Sequence, residues 1–191
     1  GENASAVASK TFTKATQVTC AEAKEIALKV SGNNVPTELT YVVKGYVTNI
    51  VGDWKSGKQS FWIADTKDGG QVLQAYSAKP VAEIDKAVKV GDYVEAIGNL
   101  KLNNEIPEIT NGTYTIIPTP VVNHTITVSA GEGGSVTGLE NDGVYAEGTE
   151  LTLTATPADH YVFVNWTKGE AVVSTENPYT FNVTADVALV A

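Results

Sequence analysis

A chain of 191 residues, 42% hydrophobic and with a formal charge of −9, has room for one large domain or two small ones. Arginine is absent, and an acidic chain without it is a poor candidate for tight duplex binding, because phosphate neutralisation supplies most of that affinity and Arg grips phosphate best. The single Cys20 cannot form an internal disulfide, and no apolar run approaches the roughly 20 residues that span a bilayer.

Charge is distributed unevenly. Residues 1–120 carry twelve lysines against thirteen acids, whereas residues 121–191 carry only Lys168 against nine acids. Such asymmetry predicts two separately folded segments. Residues 1–17 are small and polar and are expected to form a tether. Methionine is missing even at position 1, so a removed secretion signal is expected ahead of Gly1.

Thr19-Cys20-Ala21-Glu22 has the Thr-x-x-Glu form of a helix capping box, and Ala23, Ile26, Ala27 and Val30 make one apolar face behind it. A helix this short is unstable alone, so that face must pack on something. Strands are expected over Leu39–Val51, Gln59–Asp65, Gln71–Tyr76, Asp92–Leu102 and Glu105–Ile117. Gly45 allows coiling or a bulge in the first of them, Asp68-Gly69-Gly70 marks a hairpin, and Asn111-Gly112 marks a bend in the last. Pro80–Val88 is expected to be a short helix between the third and fourth strands.

Three strands, a helix and two strands, with a glycine breaking the first, is the order of an OB-fold, a small Greek-key barrel. The segments VVKGYVTNI, QSFWIADTKDGG, VKVGDYVEAIGNLKLNNEIPEI and TYTIIP resemble the OB-type domains of secreted and lipid-anchored proteins from gut-type Gram-negative bacteria. The resemblance covers residues 18–118 and implies a fold rather than an activity, since such barrels bind oligonucleotides, oligosaccharides or proteins.

Pro118 and Pro120 stiffen a linker that occupies residues 119–123. From His124 to Ala191, Thr, Val, Leu and Tyr alternate with polar residues, and Gly clusters or Asn-Pro punctuate the runs. Phe163, Trp166 and Phe181 offer large apolar area to a module too small for a deep core. The opening ITVSAGEGGSVTG, the run from Tyr145-Ala146-Glu147-Gly148-Thr149 into LTLTATPADHYVFVNW, and the close YTFNVTADVALVA resemble the divergent internalin-type B repeat of bacterial surface proteins. The fold class expected is mainly β: a five-stranded OB-fold barrel with one or two short helices, plus a small all-β repeat module.

Alternation puts Phe61 and Ile63 on one face of the second strand and Trp62 on the other, with Gln74 and Tyr76 beside Trp62 on the neighbouring strand. The loop between the first two strands adds Trp54, Lys55 and Lys58. Aromatics with a few lysines can stack bases or sugar rings. The alternative is that Trp62 and Tyr76 pack under the N-terminal helix or the second domain. Asp65 and Asp68 lack the loop spacing of a calcium site, and His124 and His160 have no zinc-ligand spacing, so no metal or cofactor is expected. Asp159-His160 next to Pro157 reads as a turn, because no nucleophile motif accompanies it.

These features point to a non-enzymatic, monomeric binding or adhesion protein that is secreted or on the cell surface, with an outer-membrane lipoprotein as one form. Its expected partner is an extracellular glycan or protein, and the membrane is met only through an N-terminal anchor. The second reading is an accessory OB-fold domain for single-stranded nucleic acid, which the acidic charge and missing Arg weaken and Lys44, Lys55, Lys58 and Lys67 keep open.

Overall fold

The computed structural model describes residues 14–82 and 87–191. The fold is mainly β, with one short helix, and the chain divides into two compact units, the first ending at Thr119 and the second running Pro120–Ala191.

The first unit opens with β1 (Thr16–Val18) and α1 (Cys20–Lys29). It continues with β2 (Thr40–Ile50), β3 (Gln59–Ala64), β4 (Leu73–Pro80), β5 (Tyr93–Asn103) and β6 (Ile106–Ile117). β1 pairs in parallel with Tyr41–Val43, so Thr16 and Gln17 lie in a strand and not in a tether. β2 is long enough to serve two neighbours: Thr40–Tyr46 pairs with β5, and Tyr46–Ile50 with β3. The order β2-β3-β4-β6-β5 therefore returns to β2 and closes a five-stranded barrel, antiparallel except for the parallel pair β4–β6. Closure removes the open sheet edges that would otherwise invite pairing with other chains.

Val43, Val47, Phe61, Ile63, Leu73, Ala75, Leu100, Ile109 and Tyr114 fill the interior, with Phe61 and Tyr114 edge to face at 5.2 Å. The helix joins this core through Cys20, Ala23 and Ala27, all fully buried. Its first turn is held twice over. The Thr19 hydroxyl accepts from Glu22 N at 3.1 Å while Thr19 N donates to Glu22 Oε2 at 2.8 Å. The Asp65 carboxylate, at the end of β3, accepts from Cys20 N at 2.7 Å and Ala21 N at 3.0 Å. Asp65 is thus spent on the helix dipole and on its orphan donors, a role that explains an acid at this position without any cation.

Gly45 is not a bulge, because its pairing with Val94 is in unbroken register. The bulge lies further on, between Val47 and Asn49. Gly45 is where the helix lands: a Cβ there would lie 2.5 Å from Cys20 Sγ and 2.8 Å from Ala64 O. The helix expected over Pro80–Val88 is corrected at its start, since Pro80 ends β4, while residues 83–86 lie outside the described residues. Val88 is buried in the core, its N–H donating to Gln59 Oε1 at 2.9 Å.

The second unit holds β7 (Asn123–Ser129), β8 (Gly134–Thr137), β9 (Val144–Ala146), β10 (Glu150–Pro157), β11 (Trp166–Lys168), β12 (Ala171–Ser174), β13 (Tyr179–Asn182) and β14 (Val187–Val190). They form a three-stranded sheet, β13-β10-β8, and a five-stranded sheet, β12-β11-β14-β7-β9. Trp166 is fully buried with Leu153, Ile126 and Leu189, and its Nε1 donates to Glu176 O at 3.0 Å. Phe163 and Phe181 are only half-buried. Asn177 acts as a strand partner for one residue: its Oδ1 accepts from Ala155 N at 2.9 Å and its Nδ2 donates to Ala155 O at 2.8 Å. The β-branched and aromatic run Tyr161–Val164 looks like a strand but is irregular. His160 turns the chain with φ 72, leaving Val162 81% and Val164 69% exposed and unpaired with any strand among the described residues.

Candidate ligand-binding face

Period-two alternation puts every second residue of a barrel strand on its outer face, and register decides which of them meet. Cross-strand pairing aligns Asn49 with Trp62, Trp62 with Gln74, Gln74 with Glu108, and Glu108 with Lys101. These residues form a belt across β2, β3, β4, β6 and β5, opposite in sense to the core residues Phe61, Ile63, Leu73 and Ala75. Tyr76 lies two residues beyond Gln74 on the same face and is 48% exposed.

Lys101 knits the belt together. Its Nζ is 3.2 Å from Glu108 Oε2, 2.6 Å from Asn34 Oδ1 and 5.8 Å from the centre of the Tyr76 ring. Glu108 Oε1 also accepts from Asn103 Nδ2 at 3.3 Å. The pair is nearly closed to solvent, with Lys101 9% and Glu108 1% exposed. Asn34 and Asn33 belong to the loop after α1, which Asn34 N binds to Leu102 O and Asn33 Oδ1 binds to Asn104 N. The loop, β6 and β4 therefore hold the lysine from three sides.

Beyond the belt, β4 and β6 separate. Their parallel ladder runs through Gln74–Glu108 and Ala75–Ile109 and resumes only at Lys79–Thr113. Each strand carries a non-glycine residue in the left-handed region inside that gap, Ser77 at φ 50 and Asn111 at φ 52. Ser60 Oγ accepts from Ser77 N at 2.8 Å and fixes the first bulge. The second fits because Gly98, opposite it, has no side chain: a Cβ there would lie 2.7 Å from Thr110 O. A groove of about 520 Å³ opens between the bulges, with Lys58, Tyr76 and Lys79 on one side and Thr110, Asn111 and Thr113 on the other.

Of the residues the sequence singles out, Trp62, Gln74 and Tyr76 share this face, and Lys58 reaches its groove. Trp62 is half-buried, Gln74 is buried and Lys55 is exposed. Trp54 behaves differently, since it packs against the barrel core beneath its loop. That loop is a small hairpin in which Lys55 N donates to Lys58 O at 3.1 Å and Lys58 N to Lys55 O at 3.0 Å, around Ser56 and Gly57 at positive φ. Lys79, Lys101, Glu108 and Asn111 are the residues that sequence reasoning missed. Lys101 and Glu108 alternate outward as Trp62 does and meet across the β5–β6 hairpin. The left-handed residues Ser77 and Asn111 put Lys79 and Asn111 out of strict alternation, and only the parallel pairing of β4 with β6 brings all four to one face.

In the second unit, His124 lies between two acids, with Nε2 3.6 Å from Glu147 Oε2 and Nδ1 3.6 Å from Asp186 Oδ1. Among the described residues no group of three or more His, Cys, Asp or Glu could hold a metal ion. A second concavity of about 180 Å³ lies between Gly131–Ser135 and Tyr161–Asn165, walled by glycine backbone and by Val162 and Val164. Its lining is mainly apolar and carries no lysine, which makes the barrel face the stronger candidate for an oriented ligand. No helix among the described residues is long and apolar enough to cross a membrane.

No curated protein and no solved structure matches the chain. Residues 124–191 match the family model described as the divergent InlB B-repeat domain, a domain that occurs in surface proteins. The second unit is therefore a divergent InlB B-repeat domain, carried behind a five-stranded mixed β-barrel.

Proposed function

We propose that this chain is a non-enzymatic binding protein of the cell surface or the secreted fraction, whose barrel is an OB-fold that holds an oligosaccharide on its outer face. The strand order β2-β3-β4-β6-β5, returning to β2, supports the OB assignment, because it is the order expected of a five-stranded Greek-key barrel of that type. In that fold ligands lie across the second and third strands, here β3 and β4. The observation that carries the reading is the outward placement of Trp62, Gln74 and Tyr76 on those two strands, beside Lys101 and Glu108.

The B-repeat domain supports a surface setting, and a lipid anchor ahead of the barrel would give the outer-membrane form of the same protein. A binding role, and not a catalytic one, suits Glu108, whose carboxylate is engaged by Lys101 and Asn103. Aromatic rings and buried polar groups in one patch suit a sugar, which presents both an apolar ring face and hydroxyls.

A glycan microarray probed with the intact protein and with Trp62→Ala tests this reading. Saturable binding to a defined set of glycans, lost in the variant, is expected. A blank array together with tight binding of a single-stranded oligonucleotide at physiological salt would replace it with the nucleic-acid reading.

A further inference from the structure

The groove between the two bulges is unlike the rest of this acidic chain. Its walls carry two lysines, Lys58 and Lys79, and among the described residues no carboxylate. In a protein of net charge −9, that is a local site for an anion. Tyr76 contributes an exposed ring on the same wall, while Thr110, Asn111 and Thr113 on the other offer hydroxyl and amide groups. A volume of about 520 Å³ falls within the range of small-ligand clefts.

The groove is also built rather than accidental. Two strands of a barrel wall are kept from pairing over Tyr76–Ala78 and Thr110–Gly112 by left-handed residues on both sides. Left-handed serine and asparagine persist only where their surroundings hold them, and here Ser60 Oγ and the missing side chain of Gly98 do so. Facing bulges re-aim side chains and expose backbone at a point where the sheet would otherwise be sealed.

We propose that this groove binds a carboxylate-bearing sugar, a uronate unit of an acidic oligosaccharide. Tyr76 stacks on the sugar ring, Lys58 and Lys79 take the carboxylate, and Thr110, Asn111 and Thr113 meet the hydroxyls. The proposal names the ligand class of the face described above and rests on that reading. A nucleic-acid strand fits less well. It needs several aromatic platforms along a basic track, whereas the groove offers one ring and two lysines on a chain without arginine.

Titration calorimetry of the full chain with α-1,4-trigalacturonate, with neutral α-1,4-galactotriose and with an oligothymidylate tests it. The two sugars share linkage and ring stereochemistry and differ in the carboxylate. Trigalacturonate is expected to bind about tenfold or more tighter than galactotriose, as charge-assisted hydrogen bonds imply. Lys58→Gln/Lys79→Gln should erase that preference, and Tyr76→Ala should weaken both sugars. These side chains are wholly or partly solvent-exposed, and an unchanged circular dichroism spectrum confirms that each variant is folded. Equal affinity for the two sugars overturns the uronate assignment while leaving a sugar-binding face. Tighter binding of oligothymidylate, or a preference that survives loss of both lysines, also overturns it. Absence of binding by either sugar overturns it too, and only a blank glycan array as well removes the binding face itself.

Discussion

Lys101 and Glu108 are direct cross-strand neighbours on β5 and β6, with Nζ 3.2 Å from Oε2, and they are buried although they stand on the outward side of the barrel wall. Buried ion pairs contribute little net stability against apolar replacements, but removing one partner strands the other charge. Glu108→Gln and Lys101→Met should therefore each lower stability by about 3–5 kcal/mol, whereas the double change Lys101→Met/Glu108→Leu should fall well short of the sum. Denaturant melts of the four proteins decide this. Single variants within about 1 kcal/mol of the parent would mean that the pair is solvated and contributes no fixed geometry to the face.

Gly45 sets how closely α1 approaches the barrel. Gly45→Ala would push a methyl group to 2.5 Å from Cys20 Sγ and 2.8 Å from Ala64 O, so the helix or the strand must shift. A loss of about 1–3 kcal/mol is expected, as for other overpacked positions. Cys20→Ala in the same background should recover part of it, because it removes the nearer clash. Thermal melts showing no coupling between the two positions would contradict this packing.

Cys20 gives the barrel an alkaline limit. Burial first, and the Asp65 carboxylate second, push its thiol up from the ordinary value of 9.0. The folded state then keeps the thiol protonated where the unfolded chain ionises. This contribution is fully present below about pH 9 and is lost as pH rises above it, by up to about 1.4 kcal/mol per pH unit. Cys20→Ala should flatten that part of the stability curve. Parallel curves for parent and variant above pH 9 would rule the effect out.

In the B-repeat domain the two hydrogen bonds exchanged between Asn177 and Ala155 replace a missing strand neighbour. Asn177→Ala leaves a part-buried donor and acceptor on Ala155 without that partner, at an expected cost of about 2–4 kcal/mol. The effect should be the same in the whole chain and in a fragment spanning residues 120–191, which is expected to melt cooperatively on its own. A fragment that unfolds without a transition would show that the domain depends on the barrel.

Local features were the most legible in the sequence. Thr19 and Glu22 form the capping box their spacing predicts, Phe61 and Ile63 point inward while Trp62 points out, and Asn111-Gly112 marks the irregularity in β6. Non-local features were not legible. The second cap on α1 comes from Asp65, far along the chain, and the reason for Gly45 is a helix that precedes it. Tyr161–Val164 has the β-branched and aromatic residues of a strand, but a strand also needs a hydrogen-bonded partner, and the segment pairs with none among the described residues. The outer face of the barrel shows the same limit. Trp62, Gln74 and Tyr76 follow from alternation, and Lys101 meets Glu108 across a local antiparallel hairpin, whereas the approach of that pair to Gln74 and the groove at Ser77 and Asn111 depend on a parallel pairing that joins distant segments.

The proposal that the outer face of the barrel is the recognition surface is tested most directly by hydrogen exchange of the intact protein with the tightest-binding glycan from the array. Slowed exchange is expected at backbone amides of β3, β4 and β6, concentrated near Trp62, Tyr76–Lys79 and Glu108–Thr113, with residues 124–191 unchanged. Protection confined to residues 124–191, with the barrel unchanged, would contradict it.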